Sequence, residues 1–334
     1  AKILEAAVPE LLSRVRSNNT TGVFLILNGA GTSDEPDTYA GVYLRDSEPG
    51  EDEPDNSDIQ VLRGPHEIFQ NGELMPDSHW LPVFTFDGGA DNPDNDFFYK
   101  PLNAALNGEI TREAPSGYWA PSFPFNGDDY GEVITYTEPV LNRQGEVLGI
   151  VGVEISKTFV ANMLGKGEFA RTGRGCYFLG VTQDGGNTYR KVATGGNKYL
   201  RFFGDEADTL APVAPPEGGR MEILSTVNGE TMHAAVLTLN LYADDSPFAG
   251  MQWALVGMVD ETTLFAFFNT IRNIIIVTAL LAMALGVAVS MVTGHRIVRP
   301  IIRMANSLKT SDPNRELVLE HTHINEIDRL GDAI

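Results

Sequence analysis

The chain has 334 residues, a formal net charge of −21 and a single cysteine, Cys176. So acidic a balance argues against partners that are themselves polyanions, such as nucleic acid or an anionic lipid surface. One cysteine excludes an intrachain disulfide and a cysteine metal cluster.

Residues 1–259 consist of apolar runs separated by segments rich in turn-forming residues. Apolar residues recur at helical spacing over residues 1–17, a stalk helix in which Pro9 predicts a kink or the start of a second helix. Runs rich in branched and aromatic residues then predict strands at 21–29, 39–44, 134–140, 147–155, 175–182, 188–193, 221–227, 230–239 and 251–259. Hairpin turns are predicted at 142–145, at 183–187 and at Asn228-Gly229.

A short helix separates these strands into two groups. Ser156 is placed to cap a helix over 157–164, with Gly165 after it. We therefore predict one unit over 18–156 and a second over 157–264, with the last strand running through 260–269 toward the apolar segment that follows.

Two acidic segments between the strands are predicted to be loops. Residues 45–58 are rich in Pro, Asp and Glu. Residues 87–96, DGGADNPDND, offer oxygen ligands for calcium, but they lack the EF-hand spacing and its final Glu, so a solvated loop is the favoured interpretation.

Residues 273–294 carry no charged side chain. A bilayer core takes roughly 20 apolar helical residues, which is about this length. The alternative is a buried helix of a soluble core, which is disfavoured because core helices seldom stay apolar on every face. We predict a transmembrane helix over 271–294.

Charge orients this helix. Basic residues follow it, whereas the chain up to Leu264 holds 17 basic and 39 acidic residues. Because the basic side is normally cytoplasmic, we expect the tail inside and the large N-terminal part outside. An exterior without disulfides is typical of a bacterial envelope protein. We interpret the chain as a fragment of a longer protein.

The tail, residues 295–334, has two apolar seams with heptad-like spacing. The seams consist of Ile297, Ile301, Met304 and Leu308, then Ile327, Leu330 and Ile334. Pro300 and Asp312-Pro313 favour two helices with a break. The alternative is a single amphipathic helix lying on the membrane.

Several stretches resemble the double Cache sensor domains of bacterial transmembrane receptors. The matching stretches are LRGP (62–65), DSHW (77–80), FFYKPLNAA (97–105), GYWAPSF (117–123), ITYTEPV (134–140) and GEVLGIVGVEIS (145–156). The tail, HRIVRPIIRMANSLK (295–309) with NEIDRLGDAI (325–334), resembles a HAMP relay. Pro300 and Glu326 stand where that family carries its Pro and its Glu, although the connector lacks the usual Gly and the second helix is cut short.

The resemblance implies an α+β fold with two stacked PAS-like modules, each with an antiparallel sheet, on a long N-terminal helix, followed by a transmembrane helix and HAMP helices. It implies a parallel homodimer in a bacterial plasma membrane, with the sensor extracellular or periplasmic. A small molecule would bind in the membrane-distal module, 18–156. The signal would pass through the membrane-proximal module, 157–264, to the relay residues Pro300, Ile301, Leu308 and Glu326. A missing output domain, such as a histidine kinase, a diguanylate cyclase or a chemotaxis signalling domain, would receive it.

Glu154 is the first candidate ligand contact. It closes the apolar strand GIVGVEI, where a carboxylate is costly without a partner. By the resemblance it stands where amino-acid-binding relatives carry an Asp that takes the ligand ammonium, so an amine-bearing ligand is one expected class. The alternative is an edge glutamate that faces water.

Other candidates lie in segments that line the pocket in relatives. Tyr99, Tyr118 and Trp119 are placed to touch a ligand or, equally, to be core residues. Lys100 could meet a ligand carboxylate as a point charge. Weaker candidates are Trp80, Tyr136 and the lid or loop residues Asp128 and Asp129.

Two departures from the relatives argue against a standard amino-acid ligand. The segment 99–102 lacks the relatives' Arg and Trp-Tyr pair. Their Tyr-x-Asp is also missing, with Ser122 and Pro124 nearby instead.

No catalytic motif is found in the sequence. There is no Ser–His–Asp signature and no phosphate-binding Gly loop, and His321-x-His323 is the nearest approach to metal spacing. We expect no cofactor, no metal and no catalysis in this fragment. Two alternatives are a membrane-anchored hydrolase and an adhesive or protein-interaction module without a small-molecule ligand.

Overall fold

The computed structural model describes residues 2–18, 20–30, 37–47, 49, 58–69, 74–125, 127, 130–196, 198–204, 207–214, 216–310 and 329. The chain forms two compact units, Ala1–Leu264 and Phe265–Ile334.

The helices and strands have the following bounds. The helices are α1 Lys2–Asn18, α2 Asp96–Leu106, α3 Lys157–Gly165, α4 Glu168–Arg171, α5 Lys198–Phe203, α6 Glu261–Thr293 and α7 Arg299–Thr310. The first strands are β1 Gly22–Ala30, β2 Thr38–Asp46, β3 Ile59–Arg63, β4 Met75–Leu81, β5 Phe84–Thr85, β6 Tyr118–Phe123, β7 Val133–Leu141 and β8 Val147–Ser156. The later strands are β9 Gly175–Thr182, β10 Tyr189–Gly195, β11 Thr209–Leu210, β12 Arg220–Leu224, β13 Thr231–Leu239 and β14 Gln252–Asp260.

The first unit contains two sheets. The first sheet has the order β4-β3-β2-β1-β8-β7-β6, with β5 paired to β2, and the second has the order β11-β10-β9-β14-β13-β12. Their pairings are antiparallel except that β3 and β4 run parallel. The predicted α+β fold with antiparallel sheets is therefore confirmed.

Side chains alternate across the first sheet, as the pleat requires. Val23 and Leu25 face the same core cluster as Leu4 and Leu11 of α1. The other face carries an aromatic core that includes Phe24 and residues of α2. Helix α1 therefore covers one face of the first sheet, and the aromatic core covers the other.

The two sheets share part of their core. Trp253 of β14 is buried in the same cluster as Phe24, and Trp119 of β6 packs against it. The ring centroids of Trp119 and Trp253 lie 6.3 Å apart. This contact explains why residues of both sheets belong to one compact unit.

Three sequence expectations need correction. The last strand ends at Asp260 rather than running through 260–269, because α6 begins at Glu261. The strand expected over 221–227 ends at Leu224, since residues 226–228 form a turn. Pro9 does not begin a second helix, because α1 continues through it from Lys2 to Asn18.

In the described part of the chain, one helix is long and apolar enough to cross a membrane. It begins at Glu261, and its most apolar window has a mean hydropathy of 2.6 with no residue of that window buried. A π-helical turn, Gly294–Val298, separates α6 from α7. The predicted break at 312–313 and the second seam from Ile327 lie outside the described residues.

Candidate functional site

Glu154 lies on β8, in the interior of the first sheet. Its register partners are Gly22 of β1 on one side and Thr135 of β7 on the other. Gly22 is in turn paired with Arg45 of β2. Directly paired residues share a face of the sheet, so one row runs from Arg45 over Gly22 to Glu154 and Thr135.

The absence of a side chain at Gly22 lets its two neighbours meet. The guanidinium Nε of Arg45 lies 3.6 Å from Oε1 of Glu154, although their strands are separated by β1. A Cβ at Gly22 would lie only 2.9 Å from Cγ and from Oε1 of Glu154. The glycine is therefore a condition of this ion pair.

Tyr43 completes what we name the Glu154 cluster, which consists of Tyr43, Arg45 and Glu154. The Tyr43 hydroxyl donates to Oε2 of Glu154 at 2.5 Å. Tyr43 and Arg45 are two positions apart on β2 and hence on one face. The cluster thus combines an acid, a cation and a phenol around a buried position.

Burial controls the electrostatics of this cluster. The side chain of Glu154 is 0% exposed. Desolvation raises the pKa of Glu154 above its usual 4.5, while the charge of Arg45 and the hydrogen bond from Tyr43 act in the opposite direction. Burial, followed by the adjacent carboxylate, raises the pKa of Tyr43. Glu154 is thus not the water-facing edge residue that was the alternative.

Three polar atoms of this row lack hydrogen-bond partners among the described residues. They are Oε1 of Glu154, Nη1 of Arg45 and Oγ1 of Thr135, and all three are buried. Buried polar groups are normally paired with protein, water or ligand. The row therefore contains an acceptor, a cationic donor and a hydroxyl that have no hydrogen-bond partner among the described residues.

A cavity of about 360 Å³ adjoins Arg45. Tyr130 and Thr21 also line it. The Arg45 guanidinium stacks over the Tyr130 ring at 5.0 Å and donates through Nη2 to the Tyr130 carbonyl at 3.2 Å. These contacts hold the cation between the cavity and Glu154.

Tyr118 and Lys100 meet each other elsewhere in the unit. The Lys100 ammonium donates to the Tyr118 hydroxyl at 3.2 Å and lies 2.9 Å from a carboxylate oxygen of Asp96. Both line a cavity of about 540 Å³ that also includes Phe248 and Met251. Burial raises the pKa of Tyr118.

The remaining predicted aromatic residues lie in three places. Tyr99 donates to Asp37 at 2.8 Å. Trp119 and Tyr136 pack against each other with centroids 4.9 Å apart. Trp80 donates from its indole to the Gly64 carbonyl and packs with the core that includes α1. The seven predicted contact residues that the structure describes therefore do not surround one pocket.

Several predicted residues cannot be placed in this way. Asp128, Asp129 and Glu326 lie outside the described residues. Pro300, Ile301 and Leu308 lie in helix α7.

Sequence reasoning missed Tyr43, Arg45 and Gly22. Residues 45–58 were predicted to be a loop, but β2 continues to Asp46, so Arg45 belongs to the strand and lies two positions from Tyr43 on the same face.

No family model matches the chain, and no curated protein does. Among solved structures, the extracellular domain of a predicted histidine kinase is 17% identical, with a TM-score of 0.42 over 78% of each chain. The periplasmic sensory domain of a Campylobacter jejuni chemoreceptor is 10% identical, with a TM-score of 0.43 over 78% of this chain and 80% of that one.

The periplasmic domain of RsbU from Chlamydia trachomatis is 10% identical, with a TM-score of 0.32 over 79% of this chain and 78% of that one. Scores this low carry no argument of their own, so function is inferred from the residues of the chain. The structures to which the chain is similar are extracellular and periplasmic sensory domains, and in this chain one candidate membrane-spanning helix follows the sheet-bearing unit.

Proposed function

We propose that the chain is the sensing part of a bacterial transmembrane receptor. Ala1–Leu264 lies outside the plasma membrane and binds a small polar molecule. Helix α6 crosses the membrane, and α7 begins the cytoplasmic relay toward an output domain. The receptor acts as a parallel homodimer, and the chain itself performs no catalysis.

One observation carries the binding proposal: Glu154, Arg45 and Thr135 form a buried row in which three polar atoms have no hydrogen-bond partner among the described residues. Leaving such groups unpaired costs about 1–3 kcal/mol each. A ligand that forms hydrogen bonds with these atoms recovers this free energy, so the row favours the ligand-bound state over the ligand-free state.

The row also indicates the chemistry of the guest. Glu154 requires a donor, and Arg45 requires an acceptor. A small molecule with an amine or amide beside a carbonyl or carboxylate supplies both. Phe97 and Phe123, which belong to the segments predicted to line the pocket, are buried core residues whose ring centroids lie 4.9 Å apart. The proposal therefore rests on the polar row rather than on an aromatic cage.

Chain order supports the relay. Strand β14 ends at Asp260, and α6 starts at the next residue without a linker. A displacement of β14 on ligand binding is thus passed directly into the first turn of α6. Binding shifts such a relay only by its differential affinity for the two states.

A thermal-shift screen tests the binding proposal. The full chain in nanodiscs is melted with amines, amides, carboxylates, amino acids and nucleobases. A ligand at 100 times its Kd adds about 2.7 kcal/mol of stability. We expect a hit that Glu154→Gln loses and that Glu113→Gln, a change at an exposed glutamate, retains. A hit kept by both variants would refute the site. The absence of any hit would favour a protein partner.

Labelling from outside the cell tests the topology. Cys176 is buried, so it gives little background. We expect a membrane-impermeant maleimide to label Glu113→Cys in intact cells and to label Lys309→Cys only after lysis. The reverse pattern would overturn the orientation.

A further inference from the structure

One segment of this acidic chain is strongly basic. Residues 157–201 contain eight Lys and Arg residues but only two acidic residues, Glu168 and Asp184. The whole chain has a net charge of −21. The segment spans α3 to α5 and includes the first strands of the second sheet. Positive charge is thus concentrated in one part of the second sheet and its helices.

A cavity of about 780 Å³ lies within this basic segment. Three cations line it, namely Lys166, Arg171 and Lys198, with Asn162 and Thr194 as neutral polar residues. Five glycines also line it, and no carboxylate does among the lining residues that the structure describes. Because glycine has no side chain, these residues do not narrow the cavity, and an entering group can contact both the backbone and the cations.

Two of these cations are available to a guest. Lys166 and Arg171 are exposed, and neither forms an ion pair within the described residues. Like charges that converge on one cavity repel each other, and an anion between them removes that repulsion.

The third cation connects the cavity to the end of the second sheet. Lys198 donates to Oδ1 of Asp260 at 2.7 Å, to Oγ1 of Thr263 at 3.1 Å and to the carbonyl of Arg174 at 3.1 Å. Asp260 is the last residue of β14, and Thr263 lies in the first turn of α6. An anion at this cavity competes with Asp260 for the Lys198 ammonium.

We propose that this cavity of the first unit, lined by residues of α3, α4 and β10, binds a phosphate group or a similar oxyanion. The group is supplied by a soluble phosphate-bearing molecule or by the head group of an anionic phospholipid. Guanidinium and ammonium groups suit such an oxyanion because their hydrogen bonds to it are charge-assisted. The site is separate from the Glu154 cluster and does not depend on the function proposed for it.

Titration with inorganic phosphate tests the soluble source. The full chain is held in phosphatidylcholine nanodiscs at constant ionic strength, adjusted with chloride so that general screening does not change. We expect saturable binding by calorimetry, with Kd raised at least about tenfold in Lys166→Gln/Arg171→Gln. The matched control, Arg190→Gln/Arg201→Gln, removes the same charge from the same segment outside the cavity and keeps the wild-type Kd.

A second arm tests the lipid source. The same three proteins are melted in phosphatidylcholine nanodiscs with and without phosphatidylglycerol. A rise in Tm with phosphatidylglycerol that only Lys166→Gln/Arg171→Gln loses assigns the site to a lipid head group. No response to either probe would overturn the proposal. Equal losses in the two double variants would also overturn it, because they would reflect general charge rather than a site.

Discussion

Gly22 has no side chain, and the side chains of Arg45 and Glu154 meet across it. Gly22 is the first residue of β1, and a glycine in a strand often marks a close approach of neighbouring groups. Here the approach joins a cation and an acid across an intervening strand. Position 22 therefore determines both the packing and the charge balance of the Glu154 cluster.

Gly22→Ala should destabilise the first unit by about 1–3 kcal/mol, because the new methyl group overlaps Glu154 and the Leu44 carbonyl in a filled interior. Thermal melting of the full chain measures this loss. Gly29→Ala on the same strand is the matched control, since no atom lies within 4 Å of its added Cβ. Equal stability of the two variants would contradict the role of Gly22.

The pKa of Glu154 predicts how stability changes with pH. Because burial raises the folded-state pKa above 4.5, the folded protein holds the proton more tightly than the unfolded chain does. The stabilisation is full below about pH 4.5 and is lost as pH rises through the folded-state pKa.

Relative to Glu154→Gln, wild-type stability should therefore fall with rising pH, by at most about 1.4 kcal/mol per pH unit. Melting both proteins from about pH 4 to about pH 8 measures the difference. Carboxylates whose pKa is lowered, such as Asp260 and Glu132, occur in both proteins and cancel. A wild-type stability that stays constant or rises with pH relative to that of Glu154→Gln would show that the folded-state pKa is not raised.

Local sequence predicted Glu154 as an unusual residue but not its partners. Tyr43 is 111 positions away along the chain. Its contact follows from the registers of β1 with β2 and with β8, which no local pattern specifies.

At the scale of elements, short-range chemistry was the reliable guide. Ser156 caps α3 as predicted, with its hydroxyl accepting from the Phe159 amide at 3.1 Å. The strands with strong apolar runs were also found. The apolar pattern did not predict β4, because MPDSHWL contains a proline and exposed polar residues. It did not predict β11, because a strand of two residues is too short to show an alternating pattern. It also gave no helix for α2, whose Pro101 argues against one.

Helix α7 provides the test of the relay. The chain is fused to a histidine-kinase output domain, and phosphorylation is compared for wild type, Pro300→Ala and Ile301→Gln. We expect both variants to change the output while ligand affinity at the first unit stays the same, because α7 lies in the other compact unit. Arg303→Lys keeps the charge and serves as the control. Unchanged output in both variants would count against a relay through α7.

At the scale of the whole first unit, the two sheets are joined by specific contacts. The Tyr242 hydroxyl accepts from the Trp119 amide at 3.1 Å, and Ser116 bonds Ser246 at 2.8 Å. These contacts connect β6 with the segment before β14. We therefore expect the two sheets to unfold together.

Trp119→Ala should lower the free energy of unfolding by about 3 kcal/mol and separate melting into two transitions, since it removes the ring that packs on Trp253. Calorimetry of the full chain resolves the transitions. Trp80→Ala is the control, because Trp80 packs within the first sheet's own core, and its melting should remain single. Two transitions in both variants would mean that the ring contact is not what couples the sheets.

The π-helical turn Gly294–Val298 has a consequence for angular phase. A single π turn accommodates one residue more than an α-helical turn, and one residue corresponds to about 100° of rotation about the axis. The directions of the side chains after the turn therefore differ from those expected if the α-helical periodicity of α6 continued through it. Deleting one residue inside the turn would restore the α-helical periodicity there, so α7 would keep its direction relative to the apolar stretch before it.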